Sequence, residues 1–160
     1  MPASPRRYLQ LDVFADRPGA GNPLGVVLDA AGMDDAAMQA LAAWLNLSES
    51  IFFLPPDAPG ADYRVRIFTP KTELPFAGHP SVGAAWAATE TGLTVPRDGR
   101  LVQQCGAGLL PVNIATDDEG RRIATVRSPR AKTVETEPPA FPTELTALLA
   151  PGFTPQRWNN

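Results

Sequence analysis

Apolar and polar residues alternate from Tyr8 to Phe14 (YLQLDVF), the period of a strand with one covered face. After a turn-rich loop over Asp16–Pro23 (DRPGAGNP), the apolar run Leu24–Leu28 predicts a second short strand. Met38, Leu41, Ala42 and Leu45 then recur at i, i+3, i+4 and i+7, which gives a helix with one core-facing stripe. Asp34 or Asp35 can cap its start, and Asn46 can stop it in the left-handed conformation. Ile51–Leu54 reads as another apolar strand, and Pro55–Ala61 as a surface turn. In Tyr63–Phe68 the alternation puts Tyr63, Val65 and Ile67 on one face and Arg64, Arg66 and Phe68 on the other. Leu101–Gln104 and Leu109–Ile114 predict a strand pair around Cys105-Gly106-Ala107-Gly108. A turn at Asp117–Gly120 and a strand at Ile123–Arg127 follow.

One stretch breaks these periods. Glu73 to Ala88, ELPFAGHPSVGAAWAA, predicts a helix from Pro80 to just before Gly92 that is apolar on every side. Such a helix has to be buried. Its first turn then opens into the interior, where free backbone N–H groups can hold an anion. Pro80 suits the first helical position, because its missing N–H costs nothing there.

Composition narrows the class. The chain has 160 residues, enough for one full domain or for one and part of another, with 44% hydrophobic and 19% charged residues. Net charge is −3, and no basic block argues for nucleic acid or an anionic membrane. No apolar run approaches the ~20 residues needed to span a bilayer. The N-terminus has two arginines but no long apolar segment, so the expected compartment is the cytoplasm. A single cysteine excludes an internal disulfide, and a single histidine leaves no cluster for a metal. Lys132–Pro142 reads as an exposed connection and Thr143–Leu149 as a short helix. The expected organisation is a first domain over residues 1–116, with 117–160 a linker or the start of an incomplete second domain.

His79, the sole histidine, is the first candidate for chemistry. A capping or packed histidine is the plain reading of such a residue. Gly78 before it and Pro80 after it favour a binding role, since glycine admits close approach and a helix N-terminus favours negative charge. A small carboxylate is the natural guest. Glu49 is the second candidate, at the start of an apolar strand between Ser48 and Ser50. Withdrawal from water makes a carboxyl a usable general acid or base near neutral pH. Glu73 is expected to pair with Lys71 or face solvent. Asp12 falls opposite the core face of its strand, and Asn22 in GNP is most simply a turn residue. Cys105 is read as a small residue before a glycine turn, because nothing near it in sequence marks an activated thiolate.

GNPLGVV, NLSES, YRVRIFTP, ELPFAGHPSVGAA and GLLPV, in this order and spacing, resemble the phenazine-biosynthesis PhzF-like proteins over roughly residues 8 to 130. The resemblance implies an α+β fold of the diaminopimelate epimerase type, a mixed sheet rolled around a central helix. In that family two such domains face each other across a cleft. It further implies a cofactor-independent isomerase of a small carboxylate, in which Glu49 of NLSE is the acid/base group and His79 of AGHP contacts the substrate. Gly78, His79, Ser81 and Asn22 are then the substrate-binding candidates. In the related epimerases a catalytic cysteine begins the segment that aligns with AGHP. Ala77 stands there in this chain, which counts against a two-thiol amino-acid racemase or epimerase.

The chain departs from the family in length. Its members are nearly twice as long, and their D-P-x-T-G-S-A motif from the opposite helix mouth does not occur here. The expectation is one wall of the cleft, poorly active or inactive by itself, and a homodimer set helix mouth against helix mouth to cover the exposed strand edges and apolar helix flank. The competing expectation is a non-catalytic module of the same fold that binds an anion or a partner chain.

Overall fold

Two strand pairs in the sheet run parallel, and each is bridged by a helix. The computed structural model describes residues 5–129. In chain order the elements are β1 (Tyr8–Val13), β2 (Asn22–Val27), α1 (Asp35–Leu45), β3 (Glu49–Leu54), β4 (Tyr63–Phe68), β5 (Glu73–Leu74), α2 (Gly78–Glu90), β6 (Arg100–Cys105), β7 (Gly108–Thr116) and β8 (Arg122–Val126). The sheet order is β1-β2-β3-β4-β6-β7-β8, with β5 paired to β4 off this path. β2–β3 and β4–β6 are the parallel pairs. α1 makes the first crossover and α2 the second, as a parallel connection requires.

The two helices lie against opposite faces. Leu24, Val26, Ile51, Phe53, Val65 and Ile67 share a core with the α2 alanines. Val27, Phe52 and Phe68 point the other way and pack with Met38 and Ala42 of α1. This double covering explains why β2 and β3 are apolar almost throughout, where a one-sided strand would alternate. Asp34 caps α1, accepting from the Ala37 N–H at 2.7 Å, and Asn46 ends it at φ 51°, ψ 34°. Both assignments follow the sequence reading.

α2 touches β1, β2, β3, β4, β6 and β8, so the sheet curls round it. This is the expected α+β arrangement of a mixed sheet rolled around a central helix. Small residues permit the close approach. A Cβ on Gly83 would lie 2.5 Å from Leu24 Cδ2 and 3.0 Å from Val13 Cγ2. The helix starts at Gly78, two residues before the expected Pro80, so Pro80 occupies its third position. It is also not covered on every side. Trp86 is 43% exposed, and with Val82 it faces a groove of about 720 Å³ between β1 and β8.

β5 was not apparent in the sequence. Glu73 within it binds the Arg66 guanidinium through both carboxylate oxygens, at 2.7 and 2.6 Å, rather than Lys71 or solvent alone. The turn at Asp117–Gly120, where the expected domain boundary falls, leads straight into β8, which adds antiparallel to β7. The expected connection at Lys132–Pro142 and helix at Thr143–Leu149 lie outside the described residues. No described helix is long and apolar enough to cross a membrane.

Candidate active site

The parallel register of β2 and β3 pairs Leu24 with Glu49, so Asn22 and Ser48 sit at the same end of the sheet. Asp12 helps to deliver Asn22 there. Its carboxylate accepts the backbone N–H groups of Gly19 (2.6 Å), Ala20 (3.2 Å) and Gly21 (3.0 Å), folding the loop back on β1. Only glycine fits at the tightest point, since a Cβ on Gly21 would lie 2.3 Å from the Val13 carbonyl oxygen. Asn22 thereby begins β2.

The first turn of α2 closes on this end. Ala77 is its N-cap and has no side chain to satisfy the free N–H groups. Gly78 and His79 each offer one, while Pro80 offers none. Among the described residues a Cβ on Gly78 would meet nothing within 4 Å, which leaves space beside the mouth. Two N–H groups at a helix N-terminus can hold the two oxygens of a carboxylate.

Glu49 and His79 meet beside this mouth. Glu49 Oε2 lies 3.5 Å from His79 Nε2, and their side chains are only 19% and 9% exposed. Both atoms are buried without a hydrogen-bond partner among the described residues. At that distance they do not satisfy each other, so each keeps hydrogen-bonding capacity for a third group. Burial pushes the His79 pKa below its ordinary 6.5, and the neighbouring Glu49 carboxylate opposes that shift. The imidazole is therefore neutral at physiological pH.

Behind it, Asn22 Nδ2 lies 3.2 Å from His79 Nδ1, and the Ser48 hydroxyl donates to Asn22 Oδ1 at 2.9 Å. Asn22 is thus more than a turn residue: its amide touches the histidine ring. Ser81 is fully buried and directed inward. Its hydroxyl donates to the Ala77 carbonyl (2.8 Å) and accepts from Gln103 Nε2 (2.9 Å). Gln103 in turn accepts from the Tyr63 hydroxyl at 3.3 Å. Glu49, His79, Asn22 and Gly78 thus come together at one mouth, while Ser81 supports it from behind.

Sequence reasoning missed Ser48, Asp12 and Gln103 in these roles. Gln103 left a trace, being a polar residue on the buried face of β6. Cys105 ends β6 at the hairpin with Gly108. Among the described residues no group of three or more His, Cys, Asp and Glu is placed to hold a metal ion.

A curled mixed sheet around an apolar helix, with a carboxyl and a neutral imidazole meeting at the helix mouth, is an α+β roll with a candidate acid/base site. Residues 11–149 match the family of phenazine biosynthesis-like proteins. The chain belongs to this family. It is 43% identical over 118 residues to a trans-2,3-dihydro-3-hydroxyanthranilate isomerase of Pseudomonas aeruginosa, covering 74% of this chain and 40% of that protein. It is 38% identical over 144 residues to antisense-enhancing sequence 1 of Schizosaccharomyces pombe, covering 90% of this chain and 49% of that one. The crystal structure of a Bacillus anthracis phenazine biosynthesis protein of the PhzF family superposes with a TM-score of 0.69 at 35% identity, over 75% of this chain and 39% of that one. The chain spans about half the length, or less, of the relatives it matches.

Proposed function

We propose that this chain carries the acid/base wall of an isomerase that moves a proton on a small cyclic or unsaturated carboxylic acid. The observation that carries the reading is the pair Glu49 Oε2 and His79 Nε2, buried, unpartnered and 3.5 Å apart beside an uncapped helix mouth. The Gly78 and His79 N–H groups would hold the substrate carboxylate. Glu49 would take a proton from one carbon and return it to another along the same face. A single carboxyl suffices for that, because the protonated carboxyl formed in the first step is the acid of the second, and exchange with solvent while it is protonated is what carries deuterium to carbon. Neutral His79 would hydrogen-bond an oxygen on which charge develops. The similarity to a dihydro-hydroxyanthranilate isomerase makes a hydroxylated cyclohexadiene acid the first substrate to try.

A thiol racemase is disfavoured, because Ala77 stands at the helix mouth and Cys105 lies in the β6–β7 hairpin. The non-catalytic reading draws on the share of the relatives' length that the chain spans. One experiment separates it from catalysis. Candidate acids are incubated in deuterated water with wild type and with Glu49→Gln, and deuterium uptake at carbon is followed by mass spectrometry. Uptake with wild type and none with Glu49→Gln is expected. Equal rates for the two would remove Glu49 from the role, and binding without any exchange would favour the non-catalytic module.

A further inference from the structure

The row Ser48–Asn22–His79–Glu49 has a direction, and the direction decides which histidine nitrogen carries the proton. We propose that Ser48, acting through the Asn22 amide, locks His79 as the neutral Nε2–H tautomer and makes it a fixed hydrogen-bond donor rather than a second proton carrier. Ser48 is a positioning residue in this scheme, because it acts on the ring only through Asn22.

The argument runs from both ends. At one end, the Ser48 hydroxyl has two oxygen neighbours, Asn22 Oδ1 at 2.9 Å and the Pro23 carbonyl at 3.5 Å. Only the first is within the range of a good O–H···O bond. A hydroxyl both donates and accepts, so the amide is set by where the Ser48 proton goes: with the Asn22 oxygen toward Ser48 it makes the 2.9 Å bond, whereas a reversed amide would leave it the Pro23 carbonyl at 3.5 Å, so the NH₂ faces His79. An NH₂ group only donates, so Nδ1 of His79, 3.2 Å away, has to present its lone pair. The single proton of a neutral imidazole is then on Nε2.

At the other end, Nε2 faces Glu49 Oε2 at 3.5 Å, and an ionised carboxylate only accepts. The opposite tautomer would set a nitrogen lone pair against a carboxylate and reverse the Asn22 amide, so that the Ser48 hydroxyl accepts from it and keeps, among the described residues, only the 3.5 Å Pro23 carbonyl for its proton. Both ends select the same arrangement. The amide also resists the imidazolium, whose Nδ1–H would point at the Asn22 NH₂. Burial of the ring acts in the same sense.

The catalytic meaning of this lock rests on the proposed isomerase reading: with His79 unable to exchange its role, Glu49 is left as the one group at the mouth that moves a proton. The lock itself can be tested without turnover. The chain has one histidine, so a long-range ¹H–¹⁵N spectrum of the labelled 160-residue protein shows a single imidazole. At neutral pH, wild type is expected to show an unprotonated Nδ1 and a protonated Nε2. Ser48→Ala is expected to draw the two nitrogen shifts toward each other, as the tautomers mix, and Ser48→Thr to restore them. Asn22→Asp replaces the donor with an acceptor and is expected to put a proton on Nδ1.

Ser48 is exposed, so its variants keep the fold, and the backbone amide spectrum verifies that in each sample. A protonated Nδ1 in wild type would overturn the proposal. So would ring nitrogens unchanged in Ser48→Ala and in Asn22→Asp. In the deuterium assay Ser48→Ala is expected to slow exchange by about tenfold, the scale on which outer partners of a functional histidine act. A wild type that keeps the tautomer but exchanges no deuterium would leave the lock standing and remove the isomerase reading.

Discussion

Folded His79 resists a proton that the unfolded chain accepts. Its pKa lies below the ordinary 6.5, chiefly because burial disfavours the charged ring, with Glu49 acting against the shift. The sign follows from linkage. Below pH 6.5 the unfolded chain binds more protons at this residue than the native one, so stability falls as pH falls. The contribution is complete above 6.5 and is lost as pH drops toward the lowered value in the folded protein. In His79→Gln that component is expected to vanish. Urea midpoints measured at stepped pH for both proteins give it as a difference, in which the carboxylates common to both cancel. Parallel curves between pH 7 and pH 5 would show that the ring titrates as it does in the unfolded chain. The sequence identified His79 through its glycine and proline neighbours. It could not show the Asn22 contact, which joins residues 57 apart in the chain.

At the scale of elements, the inward face of α2 is tied to the sheet by a buried polar chain as well as by alanines. Tyr63 on β4, Gln103 on β6 and Ser81 on α2 hand hydrogen bonds to one another, ending on the Ala77 carbonyl at the helix mouth. Gln103 is fully buried. Burial first, then the neighbouring Cys105 and Asp62, raise the Tyr63 pKa well above its usual value, so the hydroxyl stays a donor. Gln103→Leu keeps the volume but orphans the Tyr63 hydroxyl and removes the donor to Ser81. The expected loss is about 1–3 kcal/mol, the cost of leaving such groups buried and unpaired. It would be read as a lower urea midpoint with an unchanged slope, and a midpoint equal to wild type would mean water replaces the side chain.

This chain of contacts also marks where sequence reading stops. Strands and α1 were legible because period and capping are local. β5 was not, because its two residues carry no period and exist only where Leu74 pairs Ile67. The start of α2 was displaced by two residues because proline is acceptable anywhere in a first turn, and only the uncapped Ala77 fixes the boundary.

At the scale of the whole molecule, the described residues leave a seam between the two ends of the sheet. Among the described residues β1 pairs only with β2, and β8 only with β7. The groove between them, about 720 Å³, is floored by Val82, Gly83 and Trp86 of the central helix. It is separate from the Glu49–His79 mouth, so what covers it governs association rather than chemistry. An open strand edge beside an exposed indole favours pairing with another chain, through unused N–H and C=O groups and through apolar burial. The exposed edges of an unclosed roll predict a homodimer, and this seam is the surface we propose for it. The 160-residue chain is therefore expected to gain mass with concentration in analytical ultracentrifugation. Trp86→Lys sets a charge in the seam while leaving the buried side of α2 intact. It is expected to shift the protein toward monomer without lowering its thermal midpoint. A wild-type chain that stays monomeric across the accessible range, or a Trp86→Lys variant that associates equally well, would show that this seam is not where copies of the chain meet.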